Sequence, residues 1–103
     1  MIEKRQHERI SLPLEVHLES LSGKYAARLT DLSLGGCYIE TLALVSVGER
    51  VRFEVHLPTA RRLLLKGEVI YHQPTLGFGV CFVDLSDVDR EMLAQIVEYG
   101  KHG

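Results

Sequence analysis

A chain of 103 residues with 46% apolar side chains can bury one hydrophobic core, which excludes a disordered chain and predicts one domain over residues 1–103. A net charge of −2 argues against binding of DNA or RNA polymers, because a polyanion is held through many basic contacts. A small anion held by a few local arginines is compatible with that charge. The apolar runs are too short to insert in a membrane and no export signal is visible, so we expect a cytoplasmic protein.

Alternation of apolar and polar residues predicts six strands. The first runs from Ile10 to Leu18, where Pro13 requires an edge or a bulge, and Gly23 in the following turn can take a positive φ. The other five are predicted at about residues 25–30, 37–41, 50–57, 63–71 and 78–82. The inner face of the fifth strand is predicted to carry Leu63, Leu65, Gly67, Val69 and Tyr71, with a bulge or a close backbone approach at Gly67.

The period then changes to that of a helix, predicted over residues 86–99. Ser86 with Asp89 three residues later resembles a capping box, and Leu85 can pack against the helix that follows. One apolar stripe is predicted from Val88, Met92, Leu93, Ile96 and Val97. Gly100 is predicted to end the helix.

Strands with one apolar face must close over a core. The sequence therefore predicts a mainly β fold, a six-stranded antiparallel barrel over residues 10–83 followed by a C-terminal amphipathic helix, with residues 1–9 as a flexible arm. Cys37 and Cys81 have no CxxC partner and are predicted to be reduced core residues without a disulfide.

Two short segments break this regularity. The polar arm "EKRQHER" carries Arg5 and Arg9 four residues apart, ahead of the first strand. The segment "DLSLGG" follows the second strand, and its Asp31 and Ser33 can bond neighbouring amides while the glycines let the backbone turn. Taken separately, the two segments are also compatible with a solubilising terminus and an ordinary turn.

Taken together, the two segments resemble the signature of the PilZ domain family, R-x-x-x-R ahead of the first strand and D-x-S-x-x-G after the second. Arg5 and Arg9 match the first motif, and Asp31, Ser33 and Gly36 match the second. The segment "GFGVCF", residues 77–82, and the terminal helix also resemble that family.

The resemblance implies a bacterial receptor for the second messenger cyclic di-GMP, built as a six-stranded barrel. Arg5 and Arg9 are then expected to bind guanine and phosphate, since a guanidinium group can do both. Asp31 is expected to accept from guanine N1–H and N2–H, and Ser33 to donate to a base or a phosphate. Gly36 is expected to let the backbone approach the ligand.

The same resemblance predicts a stand-alone adaptor that orders its arm when it binds the nucleotide and regulates an effector protein in motility, biofilm or exopolysaccharide control. Lys4 and Gly35 are possible additional ligand contacts. Whether one or two nucleotides bind, and whether the chain is a monomer or a homodimer, stays open.

Two other classes of function were weighed. A PilZ-like protein-interaction module that does not bind nucleotide is the main alternative. An enzyme is not expected, because no catalytic motif is present and the acidic residues 84, 87 and 89 fit a helix N-terminus. No metal or cofactor is expected either, since His17, His56 and His72 are predicted on outward faces of three strands that would have to converge.

Overall fold

A computed structural model of the chain describes residues 9–102. Its seven elements are β1 (Ile10–Ser20), β2 (Gly23–Leu32), β3 (Gly36–Glu40), β4 (Arg50–His56), β5 (Arg62–Gln73), β6 (Gly77–Val83) and α1 (Asp87–His102). Within the described residues, no helix is both long and apolar enough to cross a membrane.

The six strands form a closed antiparallel barrel in the order β1-β2-β3-β6-β5-β4, which confirms the predicted fold class. Alternate residues of each strand fill the interior, where Phe53 and Phe78 are the largest fully buried side chains. Gly23, which follows the two-residue turn and begins β2, has a φ of 140°, so its predicted positive φ is confirmed. Because closure pairs β1 with β4, strands far apart in sequence share the outer surface.

Register shifts occur in three of the strand pairs and change which side chains face inward. The β2–β3 pairing shifts between Leu29 and Asp31. The β1–β2 pairing shifts between Ser11 and Leu14, which places the predicted irregularity at Pro13. The β5–β6 pairing shifts between Val69 and Tyr71. The prediction that Tyr71 faces inward is therefore wrong, because an extra residue in the ladder turns the following side chain outward, and Tyr71 is exposed.

Gly67 lies where two backbones come close, as predicted. A Cβ on Gly67 would lie 3.0 Å from the Cβ of Val80, tighter than ordinary van der Waals contact. Gly67 is buried and pairs with Phe82 of β6. The glycine thus lets β5 and β6 pack on the core without a side chain between them.

The helix begins as the sequence predicts but differs in its stripe and its end. The Asp89 N–H donates to Ser86 Oγ at 3.0 Å, the N-cap half of a capping box. Leu93 and Val97 are buried and Met92 and Ile96 partly buried, whereas Val88 is 71% exposed, so its predicted place in the stripe is wrong. The first turn of α1 therefore does not contact the core.

The prediction that Gly100 ends the helix is also wrong, since α1 continues to His102. A Cβ on Gly100 would overlap the side chain of Ile10. The glycine is explained by the close approach of α1 to the start of β1, not by the termination of the helix.

The two cysteines are free, and they differ in environment. Cys37 is buried, and burial, followed by the charge of Asp31, raises the pKa of its thiol. Cys81 is exposed, so the prediction that it is a core residue is wrong. The alternation of β6 explains this, because its neighbours Val80 and Phe82 take the inward positions.

Candidate ligand-binding site

An ion pair joins the two sequence motifs. Arg9 directly precedes β1, and the β1–β2 register places Ile10 opposite Leu32 and Ser11 opposite Asp31. Arg9 Nη2 lies 2.9 Å from Asp31 Oδ2, and the two side chains are 31% and 40% exposed. The last arginine of the first motif thus contacts the first residue of the second motif, at one end of the barrel.

This ion pair leaves both partners with unused hydrogen-bonding capacity. A guanidinium group has five N–H donors and a carboxylate about four lone-pair sites. A solvent-exposed pair of this kind contributes about 0–1 kcal/mol, so a ligand that offers better partners can replace it at small cost. The arrangement therefore presents a donor group and an acceptor group side by side to solvent.

The loop between β2 and β3 is organised by the Ser33 hydroxyl. Ser33 Oγ accepts from the N–H groups of Gly35 and Gly36, each at 3.2 Å. The Ser33 N–H donates to the Gly36 carbonyl oxygen at 2.9 Å. The hydroxyl thus fixes the turn that follows Asp31, and its expected donation to a ligand stays a prediction.

The two glycines of this loop differ from the glycines of the turns in their backbone conformation, and the expected role of Gly36 in ligand approach stays a prediction. Among the described residues, the glycines with a positive φ are Gly23, Gly48 and Gly77, so Gly35 and Gly36 turn the chain without left-handed backbone. A Cβ on Gly36 would overlap the Val80 carbonyl oxygen. Gly36 is therefore required by the approach of β3 to β6, whether or not it also admits a ligand.

A tyrosine next to Asp31 was missed by the sequence analysis. Tyr38 pairs with Asp31 on one side and with Gly79 on the other. Its hydroxyl donates to Gln73 Oε1 at 2.6 Å, and its ring lies 6.1 Å from that of Tyr71. Burial, and then the neighbouring Tyr71 and Glu40, raise the Tyr38 pKa, which keeps the phenol protonated as a donor.

The sequence signal for Tyr38 was the alternation of β3, in which Cys37 and Ile39 are buried and Tyr38 must face outward. Its aromatic face lies beside the Arg9–Asp31 pair and extends the polar site with a surface on which a planar group can stack. A Cβ on Gly79 would overlap the Tyr71 ring, so Gly79 lets that ring lie flat against β6.

The remaining predicted contacts are placed as follows. Gly35 accepts a hydrogen bond from the Phe82 N–H at 2.9 Å, which joins the loop to β6. Lys4 and Arg5 lie outside the described residues. A cavity of about 730 Å³ is lined by residues of β1, β2, β4 and β5, among them His17, Arg52 and Leu64. That cavity does not include Arg9 or the β2–β3 loop.

The PilZ domain family profile matches residues 3–99, nearly the whole chain. The chain therefore belongs to the PilZ domain family. No curated protein matches the sequence significantly.

Solved structures of the same fold include three that are informative. The PilZ domain of Escherichia coli YcgR with cyclic di-GMP has a TM-score of 0.80 at 20% identity, covering 97% of this chain and 93% of that one. The inhibitor of motility MotI (DgrA) of Bacillus subtilis has a TM-score of 0.81 at 18% identity, over 98% of this chain and 53% of that one. Borreliella burgdorferi PlzA in complex with cyclic di-GMP has a TM-score of 0.68 at 16% identity, covering 92% of this chain and 41% of that one. This chain thus spans about half of MotI and less than half of PlzA.

Proposed function

We propose that this protein is a non-catalytic receptor for cyclic di-GMP that regulates a partner protein. The observation that supports the proposal best is the 2.9 Å ion pair between Arg9 of the first motif and Asp31 of the second. Family membership and structural neighbours that hold cyclic di-GMP support the same ligand.

The chemistry of the ligand matches the groups at this surface. Cyclic di-GMP has two guanines and two phosphodiesters, so its receptor needs base-edge partners and anion partners close together. An arginine fork can pair with guanine O6 and N7 or with a phosphate. In the proposed complex Arg5 and Arg9 take these roles, and the Asp31 carboxylate accepts from guanine N1–H and N2–H.

The free energies of these contacts are sufficient for micromolar binding without a metal or a covalent step. Micromolar affinity corresponds to about 8 kcal/mol. A bidentate arginine–guanine contact contributes about 1–3 kcal/mol of discrimination, and stacking of a base on an aromatic ring about the same. Opening the exposed Arg9–Asp31 pair costs about 1 kcal/mol at most, so a few new contacts outweigh it.

The proposed output is a change in the segment that precedes β1. Arg9 can leave Asp31 for a ligand group only if the backbone or side chain at residue 9 moves. Because Arg5 belongs to the same motif, we expect the segment around it to respond to the ligand as well. We expect amide protons of residues 2–10 to exchange more slowly with cyclic di-GMP present, which hydrogen exchange detects. Equal exchange rates with and without cyclic di-GMP would contradict a role of this segment in the output, but would not contradict ligand binding.

Calorimetric titration with cyclic di-GMP tests the proposal. We expect micromolar binding by the wild-type protein and at least a tenfold loss in Arg5→Ala and in Arg9→Ala. Arg50→Ala is the matched control, because Arg50 also pairs with an exposed carboxylate, with its Nε 3.5 Å from Glu68 Oε1, but does so between β4 and β5. The control is expected to keep wild-type affinity.

A titration with cyclic di-AMP tests whether guanine is recognised, because adenine offers no N1–H and N2–H pair to a carboxylate. We expect cyclic di-AMP to bind at least tenfold more weakly than cyclic di-GMP. Absence of cyclic di-GMP binding by the folded wild-type protein would contradict the receptor function and favour an interaction module that works without nucleotide. Unchanged affinity in Arg9→Ala would place the ligand elsewhere on the barrel.

A further inference from the structure

A cluster of metal-ligand side chains lies on the outer surface of β1 and β4, away from the candidate nucleotide site. The β1–β4 register places His17 directly opposite Glu54. His56 lies two residues beyond Glu54 and therefore on the same face of β4. His17 is six residues along β1 from Ser11, which pairs with Asp31, so roughly 20 Å separates the two regions.

The three side chains converge. One ligand atom from each of His17, Glu54 and His56 lies within 4.8 Å of the other two. His56 Nε2 is 3.1 Å and His17 Nδ1 is 3.8 Å from the same carboxylate oxygen, Glu54 Oε1. The two imidazole rings are 4.4 Å apart between centroids.

We propose that His17, Glu54 and His56 bind a divalent transition-metal ion of the zinc class. Neutral imidazole and carboxylate are ligands that this class of metal accepts, with Zn–N distances of about 2.0–2.1 Å. Ligand atoms on a common ion are about 3.3 Å apart, whereas those of the cluster lie up to 4.8 Å apart, so metal binding needs shifts of up to about 1.5 Å from side chains that reach the surface. Three protein ligands leave one position for water or for a group on another molecule.

A second carboxylate lies near the cluster. His56 Nδ1 is 3.8 Å from Glu15 Oε1, beyond hydrogen-bond distance, while its Nε2 faces Glu54. A small movement of the exposed Glu15 side chain would let it accept from the second ring nitrogen, as carboxylates beside ligating histidines do. Arg62 Nη1 lies 3.4 Å from Glu54 Oε1 and must give up this contact when the metal binds. That exchange is inexpensive, because Arg62 is 62% exposed.

From the sequence, a metal site is not expected, because the histidines are predicted on three strands that would have to converge. The structure shows that two strands are enough, since β4 supplies both Glu54 and His56 and closure of the barrel supplies His17. His72, on β5, is not part of the cluster. A variant of His72 is therefore the matched control for variants of His17 and His56.

The test is a calorimetric titration of tag-free protein with zinc chloride, in a Cys81→Ser background because Cys81 is an exposed thiol. We expect one zinc ion per chain with a dissociation constant of about 10 μM or lower. His17→Ala and His56→Ala are each expected to weaken binding by at least about tenfold. His72→Ala and the double variant His7→Ala/His102→Ala are expected to bind as the parent does.

Circular dichroism of each variant shows whether it is folded. His17 and Cys81 are exposed, His56 and His72 are partly buried, and His7 lies outside the described residues. If His56→Ala loses structure, His56→Gln replaces it. Wild-type affinity in both His17→Ala and the His56 variant would overturn the proposal. Failure of the folded parent to bind zinc at about 100 μM would overturn it as well.

Discussion

The two polar clusters on β1 differ in how the sequence encodes them. The Arg9–Asp31 pair is formed by β1 and β2, neighbours along the chain, and each partner belongs to a short motif that can be read directly. His17 and Glu54 are brought together by the pairing of β1 with β4, which exists only once the barrel is closed. Local motifs therefore reveal the first cluster, and only the three-dimensional register reveals the second.

The largest expected effect concerns the glycine of the second motif. Gly36→Ala should destabilise the fold by about 3 kcal/mol, because the new Cβ overlaps the Val80 carbonyl oxygen and the β3–β6 pair must separate. Urea denaturation measures this loss.

Gly48→Ala is the control for that variant. Nothing lies within 4 Å of a Cβ at Gly48, and only its φ of 92° opposes a side chain, so we expect a cost of about 1 kcal/mol. If Gly36→Ala proved as stable as Gly48→Ala, the close approach of β3 to β6 would not require a glycine at this position.

Asp31→Asn separates binding from stability at the first cluster. The amide presents N–H donors where the carboxylate accepts, so we expect cyclic di-GMP affinity to fall at least tenfold, about 1.4 kcal/mol. Stability should change by less than about 1 kcal/mol, since the Arg9 pair is exposed. Glu68→Gln, which alters the pair with Arg50, should change neither quantity appreciably. Unaltered affinity in Asp31→Asn would contradict the assigned role of the carboxylate.

Ser33→Ala tests the turn that carries Asp31. Loss of the hydroxyl leaves the Gly35 and Gly36 N–H groups without their acceptor, and we expect a destabilisation of about 1 kcal/mol. Ser11→Ala, at an exposed position of β1, should stay within about 0.5 kcal/mol of the wild type. A full loss of ligand binding with no loss of stability would instead indicate direct contact between the hydroxyl and the nucleotide.

The smallest expected effect lies near the far end of β1, where Glu19 pairs with Arg52. The hydrogen bond and then the charge of Arg52 lower the Glu19 pKa from its usual 4.5. The resulting stabilisation is present above that usual pKa and is lost as the pH falls through the lowered pKa of the folded state. Glu19→Gln should therefore flatten the acid side of the stability profile slightly, as followed by urea denaturation from about pH 6 to about pH 3. Glu91→Gln, on the exposed side of α1, should leave the profile unchanged.

Much of the barrel could be predicted from sequence because the period of two is a direct consequence of strand geometry. The errors occurred where that period shifts or where packing outweighs it. Tyr71 was placed inward because the register shift after Val69 has no marker in the sequence. Val88 has helical spacing, but the first turn of α1 does not reach the core.

The candidate site was predictable to the extent that its residues belong to short motifs. The pairing of Arg9 with Asp31 is consistent with that prediction, whereas the contacts of the ligand remain proposals. Tyr38 carries no motif, and its place beside Asp31 follows from the β2–β3 register alone. The purpose of Gly36 could not be predicted, because it depends on a carbonyl oxygen of β6.

The contact between Gly100 and Ile10 connects the end of α1 to the candidate ligand-binding site. Ile10 is the immediate neighbour of Arg9, and its side chain occupies the space that a Cβ at position 100 would need. If residue 9 moves when the proposed ligand binds, Ile10 and the last turn of α1 are the neighbouring parts of the fold that we expect to shift with it. We propose this end of the helix as the surface through which a bound partner protein would respond to the ligand.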